Sequence, residues 1–483
     1  MMNLHPSTTS NSSIHIWQVL LLLVVLGCAQ HRDIINNEIG ETPAIVHHIT
    51  NEEISDSTLS IEELIALGQI LFSTSFNSLD GATNSKLRLI PTTSDEYSIT
   101  SRFNRISGPD ANACSGCHNL PRVGGGGDNV ANVFVLAHEF PNINFDHSSG
   151  DLFENLTLRS AGNERGTPSM FGSGIIELLA REMSNDLQFI KEAAIQKAKN
   201  TQQSVTVNAI TKEVSFGKLT AWPDGLVDLS RIEGVDEDLI IKPFGQKGVF
   251  TSLREFTIKS LQLHHGIQAT ERVGVNIDAD KDGITNELTS GDITALTLFQ
   301  ATLPPPIQVL PESKEMIELT SRGEKVFNTI GCTMCHKTFL ELNSPLYFEP
   351  NPFNPSGTIS DGSLSKEYTI NLASIFDNNA IEKINNDSYK IYAFTDLKRH
   401  EMGPLLNNEK QEQDFVGTSI WLTRKLWGIM DEPPFLHHGR ATLISEAIKA
   451  HGGEAEKSKN NYINLPKEKQ DELIEFIKTF QNN

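Results

Sequence analysis

The sequence is poor in basic residues and in cysteine, and it has no long hydrophobic run. Lys and Arg number 40 against 61 Asp and Glu, leaving a formal charge of −21. Surfaces that bind DNA or RNA need clustered Lys and Arg, so nucleic acid is excluded as a partner. The acidic balance suits a basic partner or a soluble surface. Gly (34) and Pro (21) have average shares of the 483 residues, which excludes collagen-like and low-complexity chains. With 38% hydrophobic and 21% charged residues the chain reads as globular, of a length for roughly two to four domains. The apolar run Ile16 to Leu26 is too short for a bilayer, which takes about 20 residues.

That run, ending in Gly27-Cys28, matches the apolar core of a secretory signal. Val25-Leu26-Gly27-Cys28 is similar to the lipobox of bacterial lipoproteins, although residues 1–27 contain no Lys or Arg. The expectation is export, with 1–27 as signal and Cys28 lipidated to hold a periplasmic or outer-membrane-anchored protein. A plain signal peptide or a non-lipidated anchor is the alternative. Residues 28–58 are polar and unpatterned and read as a tether. Ser60, followed by Glu62 and Glu63 and an apolar periodicity to Phe72, predicts a capped helix. A similar block runs from Ile317 to Phe327. Gly stands four residues before Phe in both (Gly68/Phe72, Gly323/Phe327), which marks an internal repeat. Leu303-Pro304-Pro305-Pro306 cannot continue a helix and places a linker at 303–312, between units 59–302 and 313–483. Strand signals such as Val205-Thr206-Val207 are scattered, so the chain reads as mainly α with long loops.

Four of the five cysteines form two motifs, Cys114-Ser115-Gly116-Cys117-His118 and Cys332-Thr333-Met334-Cys335-His336. This is the pattern that attaches c-type haem: one helical turn presents two thiols to the vinyl groups, and the next His reaches the iron. Zinc binding and a thioredoxin-like dithiol are the rival chemistries. Function then depends on the sixth iron position, since an open position permits peroxide or oxygen chemistry. His264, His265, His400, Met402, His437, His438 and His451 are the histidines and methionine to weigh for it.

The segments Thr395-Asp396-Leu397, His400-Glu401-Met402-Gly403-Pro404, Leu426-Trp427-Gly428, Phe435-Leu436-His437-His438-Gly439-Arg440 and His451-Gly452-Gly453-Glu454-Ala455 are jointly specific. With Thr167-Pro168-Ser169-Met170-Phe171-Gly172-Ser173-Gly174 to Glu177, they resemble the bacterial diheme oxidoreductases, which are similar to diheme cytochrome c peroxidases. The resemblance implies two cytochrome c-like haem domains. Electrons from a small cytochrome c or cupredoxin-like donor enter at one haem, and hydrogen peroxide is reduced at the other. It implies His336 and His451 as ligands of the second haem, where those peroxidases use Met. His118 would be the proximal ligand of the first haem, with His264 or His265 distal. His438 in place of Asp, and Leu422-Thr423-Arg424-Lys425 in place of R-T-x-P, depart from the family pattern.

Glu177 and His265 are the candidate catalytic acid–base residues, because peroxide cleavage needs a proton moved between oxygens. Trp421 or Trp427 could relay electrons, and Arg440 could pair with a propionate. Asp278, Asp280, Asp282, Gly283 and Asn286 follow the oxygen-ligand spacing of an EF-hand-like calcium loop. Thr289 replaces the bidentate Glu at position 12, so Glu287 or Asp292 would have to supply that ligand. The alternatives to a peroxidase are a non-enzymatic diheme electron carrier and an oxygen-activating oxidase.

Overall fold

The computed structural model describes residues 34–35, 40–56, 58–82, 111–132, 163–280, 282–360, 368–376, 379–385, 388–409 and 412–481. The signal segment and Cys28 lie outside these residues. The main helices in chain order are α1 (Ile61–Ser73), α2 (Ser173–Thr201), α3 (Leu253–Ser260), α4 (Ser290–Ala301), α5 (Lys314–Thr329), α6 (Ile444–Ala450) and α7 (Lys467–Ile477).

α1 starts where the sequence predicts. The Ser60 hydroxyl accepts from the Glu63 amide, and the Glu63 carboxylate accepts from the Ser60 amide at 2.8 Å. Its Leu64, Leu67, Leu71 and Phe72 recur at three- and four-residue spacing and are buried against α4, every residue of which is buried. The two helices cross at Gly68, where an added Cβ would lie 2.0 Å from the Ala295 carbonyl oxygen. α5 and α7 repeat the arrangement: a Cβ on Gly323 would lie 2.0 Å from the Glu472 carbonyl oxygen. The aromatic residue one turn on meets an equivalent partner in each pair. Phe72 and Phe299 have ring centres 5.3 Å apart, and Phe327 and Phe476 5.5 Å. The Gly/Phe repeat of the sequence is therefore a repeated helix crossing, fixed by the absence of a side chain at the contact.

Among the described residues 38% are helical and 18% in strands, which corrects the reading of a mainly α chain. The strands form six sheets of two or three strands. The largest pairs Val205–Thr211, Val214–Ala221 and Val227–Ile232 antiparallel. Others join distant segments, such as Leu340–Leu342 with Tyr389–Ile391 and Ile307–Gln308 with Phe480–Gln481. Strands of two to four residues carry no readable alternation, and their partners are set by packing. The expected tether is also corrected. Ile45, Ile49 and Ile54 are buried, the Ile49 amide donates to Asp292 at 3.0 Å, and Tyr368 donates to the Ile54 carbonyl at 3.1 Å. These apolar residues are spaced too irregularly to give a helical or strand period. Among the described residues no helix is long and apolar enough to cross a membrane.

Candidate functional site

Both CxxCH segments form single tight turns, each beside its own helix crossing. Cys114–Cys117 is one helical turn closed by the His118 amide on the Cys114 carbonyl at 2.9 Å. The His118 ring lies 6.2 Å from Phe72, the residue one turn past the crossing glycine. His118 Nδ1 lies 3.2 Å from the Gly125 carbonyl oxygen. A carbonyl can only accept, so Nδ1 carries the proton and Nε2 is left with its lone pair. Burial outweighs the opposing Gly125 and Pro168 carbonyls and brings the His118 pKa down to about 4, with His264 adding to the effect. The neutral imidazole this gives is the metal-ligating form.

The second turn repeats these relations. Cys332–Met334 is a short 3₁₀ turn, with the His336 amide on the Cys332 carbonyl at 2.9 Å. The His336 ring lies 6.4 Å from Phe327, and its Nδ1 donates to the Phe394 carbonyl at 3.0 Å. Burial and the neighbouring His451 lower its pKa to about 4. His451, at the C-terminal end of α6, donates from Nδ1 to the Ala447 carbonyl at 2.8 Å, and burial lowers its pKa as well. His336 and His451 line one cavity of about 570 Å³, together with Cys332, Cys335 and apolar residues including Leu426 and Ile448. Two thiols and two neutral imidazoles, each pinned by its far nitrogen to a backbone carbonyl, fit a covalently attached haem with two axial histidines. Burial pushes the Cys114 and Cys332 thiols up to about 12, the opposite of what an activated dithiol needs.

His118 lines a smaller cavity of about 70 Å³. Its other described walls include Met170, Gln246, Arg424 and Lys425. Neither His264 nor His265 lines it. His264 is near enough to depress the His118 pKa, and both sit on a π-helical turn, Leu261–His265, with His265 buried edge-on to Phe76. Gln246, Leu422, Thr423 and Arg424 line both cavities, so the two sites share a wall. Trp421 lines the second cavity, stacked on His437 at 3.5 Å with the Lys247 ammonium 3.7 Å from its ring centre. Trp427 is buried against Gly172.

Glu177 lines neither cavity. It is fully buried, and its carboxylate accepts from Arg181, Asn351, Tyr347 and the Leu253 amide. Arg254, also fully buried, pairs with Glu271 at 3.0 Å and Glu349 at 3.1 Å in the same network. These oxygens are occupied in structural contacts, so the placement does not support an acid–base role.

In the acidic loop the Asp278, Asp280 and Asp282 carboxylates converge within 4.8 Å. Asn286 instead hydrogen-bonds Asn276 through both its amide nitrogen and its amide oxygen, each at 2.7 Å. Asp280 Oδ2 and Glu287 Oε1 are buried without a hydrogen-bond partner. Burial, with the neighbouring carboxylates, raises Asp280 to about 7 and Glu287 to about 9. Asp292 is committed elsewhere, accepting from His48, the Ile49 amide and the Thr289 cap. Of the two residues weighed for the missing position-12 ligand, Glu287 is therefore the one available. Residue spacing could not reveal Lys425, half-buried on the wall of the first cavity, or the two carboxylates that meet on His400. Both are products of tertiary folding.

Residues 366–480 match the family described as di-haem oxidoreductase, putative peroxidase. No curated protein matches the chain. A solved structure of Kuenenia stuttgartiensis hydrazine synthase, pressurised with 20 bar xenon, aligns over 93% of this chain and 100% of its own at 12% identity. Its TM-score is 0.35, a likeness too slight to inform the fold. The similarity to the di-haem oxidoreductases thus lies in residues 366–480, the part of the chain that carries His400 and His451.

Proposed function

We propose that the protein is an exported diheme c-type cytochrome oxidoreductase of the peroxidase type. The observation that carries this reading is the asymmetry of the two sites. Two pinned, neutral imidazoles, His336 and His451, line the second cavity, whereas among the described residues His118 is the one histidine lining the first. When bound, the haems supply electron transfer at the filled site and reductive cleavage of a peroxide at the other.

The chain's own residues supply the rest. Cys114, Cys117, Cys332 and Cys335 tether the macrocycles. Gly125 and Phe394 orient the proximal imidazoles through their carbonyls. Leu422, Thr423 and Arg424 line both cavities and so offer a short path between the sites. Lys425 places positive charge beside the first site, where an anionic form of the substrate is favoured, while Arg424 is ion-paired with Glu432. The donor is a small cytochrome c or cupredoxin, drawn to an acidic surface through basic residues. Anchorage at Cys28 keeps the protein at the periplasmic face of a membrane.

We further propose that Asp278, Asp280, Asp282 and Glu287 bind calcium, on the strength of the two buried carboxylate oxygens left without partners. The proximity of His264 to His118 favours a second reading, an electron carrier with both irons six-coordinate. Purified holoprotein given a reduced cytochrome c separates the two. Oxidation of the donor that depends on hydrogen peroxide, and is lost in His118→Ala, supports the peroxidase. Donor oxidation with no peroxide dependence leaves the carrier.

A further inference from the structure

His400 is the most tightly ion-paired histidine of the second site. It is buried, with Nε2 2.9 Å from Asp396 Oδ2 and Nδ1 2.7 Å from Glu454 Oε2. Carboxylates on both nitrogens make it a bridging imidazolium. Burial opposes its charge, but the Asp396 and Cys335 contacts raise its pKa to about 11, and the Cys335 share disappears once that sulfur is a thioether.

Asp396 and Glu454 belong to separate segments of the chain: the first orients one axial histidine through a carbonyl, and the second contains the other. Phe394, two residues before Asp396, accepts the His336 Nδ1 proton. Glu454 lies three residues after His451. The loop between them is seated without slack on Arg399–Glu401. The Glu454 Oε1 atom accepts from the Glu401 amide at 2.9 Å. A Cβ on Gly453 would lie 2.2 Å from the Glu401 carbonyl oxygen, so only glycine fits there. His400 thus ties the segment that orients one imidazole to the loop that carries the other.

We infer that His400 is a positioning residue which, through Asp396 and Glu454, holds His451 on the second iron. The inference rests on the reading of His336 and His451 as axial ligands. It also gives a physical reason for two motifs that sequence alone leaves separate: His400-Glu401-Met402-Gly403 and His451-Gly452-Gly453-Glu454 are two halves of one clamp.

The Glu454 side chain is half exposed, so Glu454→Ala removes the clamp contact with little loss of packing. Four holoproteins, wild type, His451→Ala, Glu454→Ala and His400→Gln, are compared by electron paramagnetic resonance when oxidised and by carbon monoxide binding when reduced. His451→Ala assigns the second haem by converting it from low-spin to high-spin and opening it to carbon monoxide. Glu454→Ala and His400→Gln are expected to lose the same low-spin signal, partly or wholly, and to gain carbon monoxide binding. Glu454→Gln, which keeps one oxygen to accept from Nδ1–H but loses the one that accepts from the Glu401 amide, is expected to recover part of the low-spin signal lost in Glu454→Ala. A general structural defect would not be rescued in this way. If His451→Ala changes the second haem while Glu454→Ala and His400→Gln match wild type, the clamp is overturned and the ligand reading stands. If His451→Ala leaves the low-spin signal intact, the ligand reading fails and the clamp with it.

Discussion

Gly323→Ala distinguishes a helix crossing from an ordinary helix surface by the sign of its effect. In an exposed helix, replacing Gly by Ala stabilises by about 1 kcal/mol, because Ala has less backbone freedom to lose. At Gly323 the new Cβ would lie 2.0 Å from the Glu472 carbonyl oxygen and 2.8 Å from Phe476 Cβ, against an ordinary contact of 3.4 Å or more. The clash is with backbone, which has no rotamer to escape into, so α5 and α7 must separate by more than an ångström. Overpacking costs about 1–3 kcal/mol, and an unrelieved backbone overlap belongs at the upper end. Subtracting the helix-propensity gain leaves a net loss of about 2 kcal/mol. For a unit of this size that lowers the thermal midpoint by roughly 4–8 °C. The assay is thermal unfolding of holoprotein followed by circular dichroism and by the Soret band. Phe327, four residues on, lies 6.4 Å from His336, so the Soret band of the second haem should also shift. Gly68→Ala should behave alike at the first site, where the geometry is the same. A raised midpoint in Gly323→Ala would refute the crossing.

Glu177→Gln should destabilise the chain by about 2–3 kcal/mol by leaving the buried Arg181 charge undercompensated, yet leave peroxide turnover per folded holoprotein unchanged. A selective loss of turnover would restore Glu177 as a catalytic acid. Chelation of calcium should lower the thermal midpoint more at pH 8 than at pH 5. In the cation-free fold Asp280 and Glu287 hold protons up to about 7 and about 9, while the unfolded chain releases them near pH 4–4.5. The apo fold therefore binds more protons than the unfolded chain across that window, and its stability falls as pH rises. Equal loss at both pH values would contradict the site. Burial brings Lys425 down to about 8, so it is charged below that pH and neutral above. Azide binding at the first iron should weaken as pH rises through about 8 in wild type, and this pH step should vanish in Lys425→Met; a step that persists there would assign it to another group.

The parts of the site that sequence makes legible are those set by local geometry. A CxxCH turn needs five adjacent residues, so both were readable, as were the Ser60 cap and the Gly/Phe spacing of the two crossing helices. His451 came from a motif placed just after an amphipathic helix, and the structure puts it in the same cavity as His336. What sequence could not give depends on contacts between distant segments. The short strands pair residues such as Leu340 and Ile391, and the buried isoleucines at 45, 49 and 54 have no period to betray them. Glu177 stands in a family-like segment, but its meaning turns on Arg181, Tyr347 and Asn351, which only the fold assembles around it. Lys425 looked like a departure from a family pattern, and its place on the first cavity wall gives that departure a chemical consequence.

Electron paramagnetic resonance of holoprotein, fully oxidised and then half-reduced, with and without hydrogen peroxide, reads whether the two irons differ in ligation. One low-spin bis-histidine signal indifferent to peroxide is expected, with a second signal, from the His118 site, that peroxide changes. Two low-spin signals unaffected by half-reduction and by peroxide would contradict that expectation.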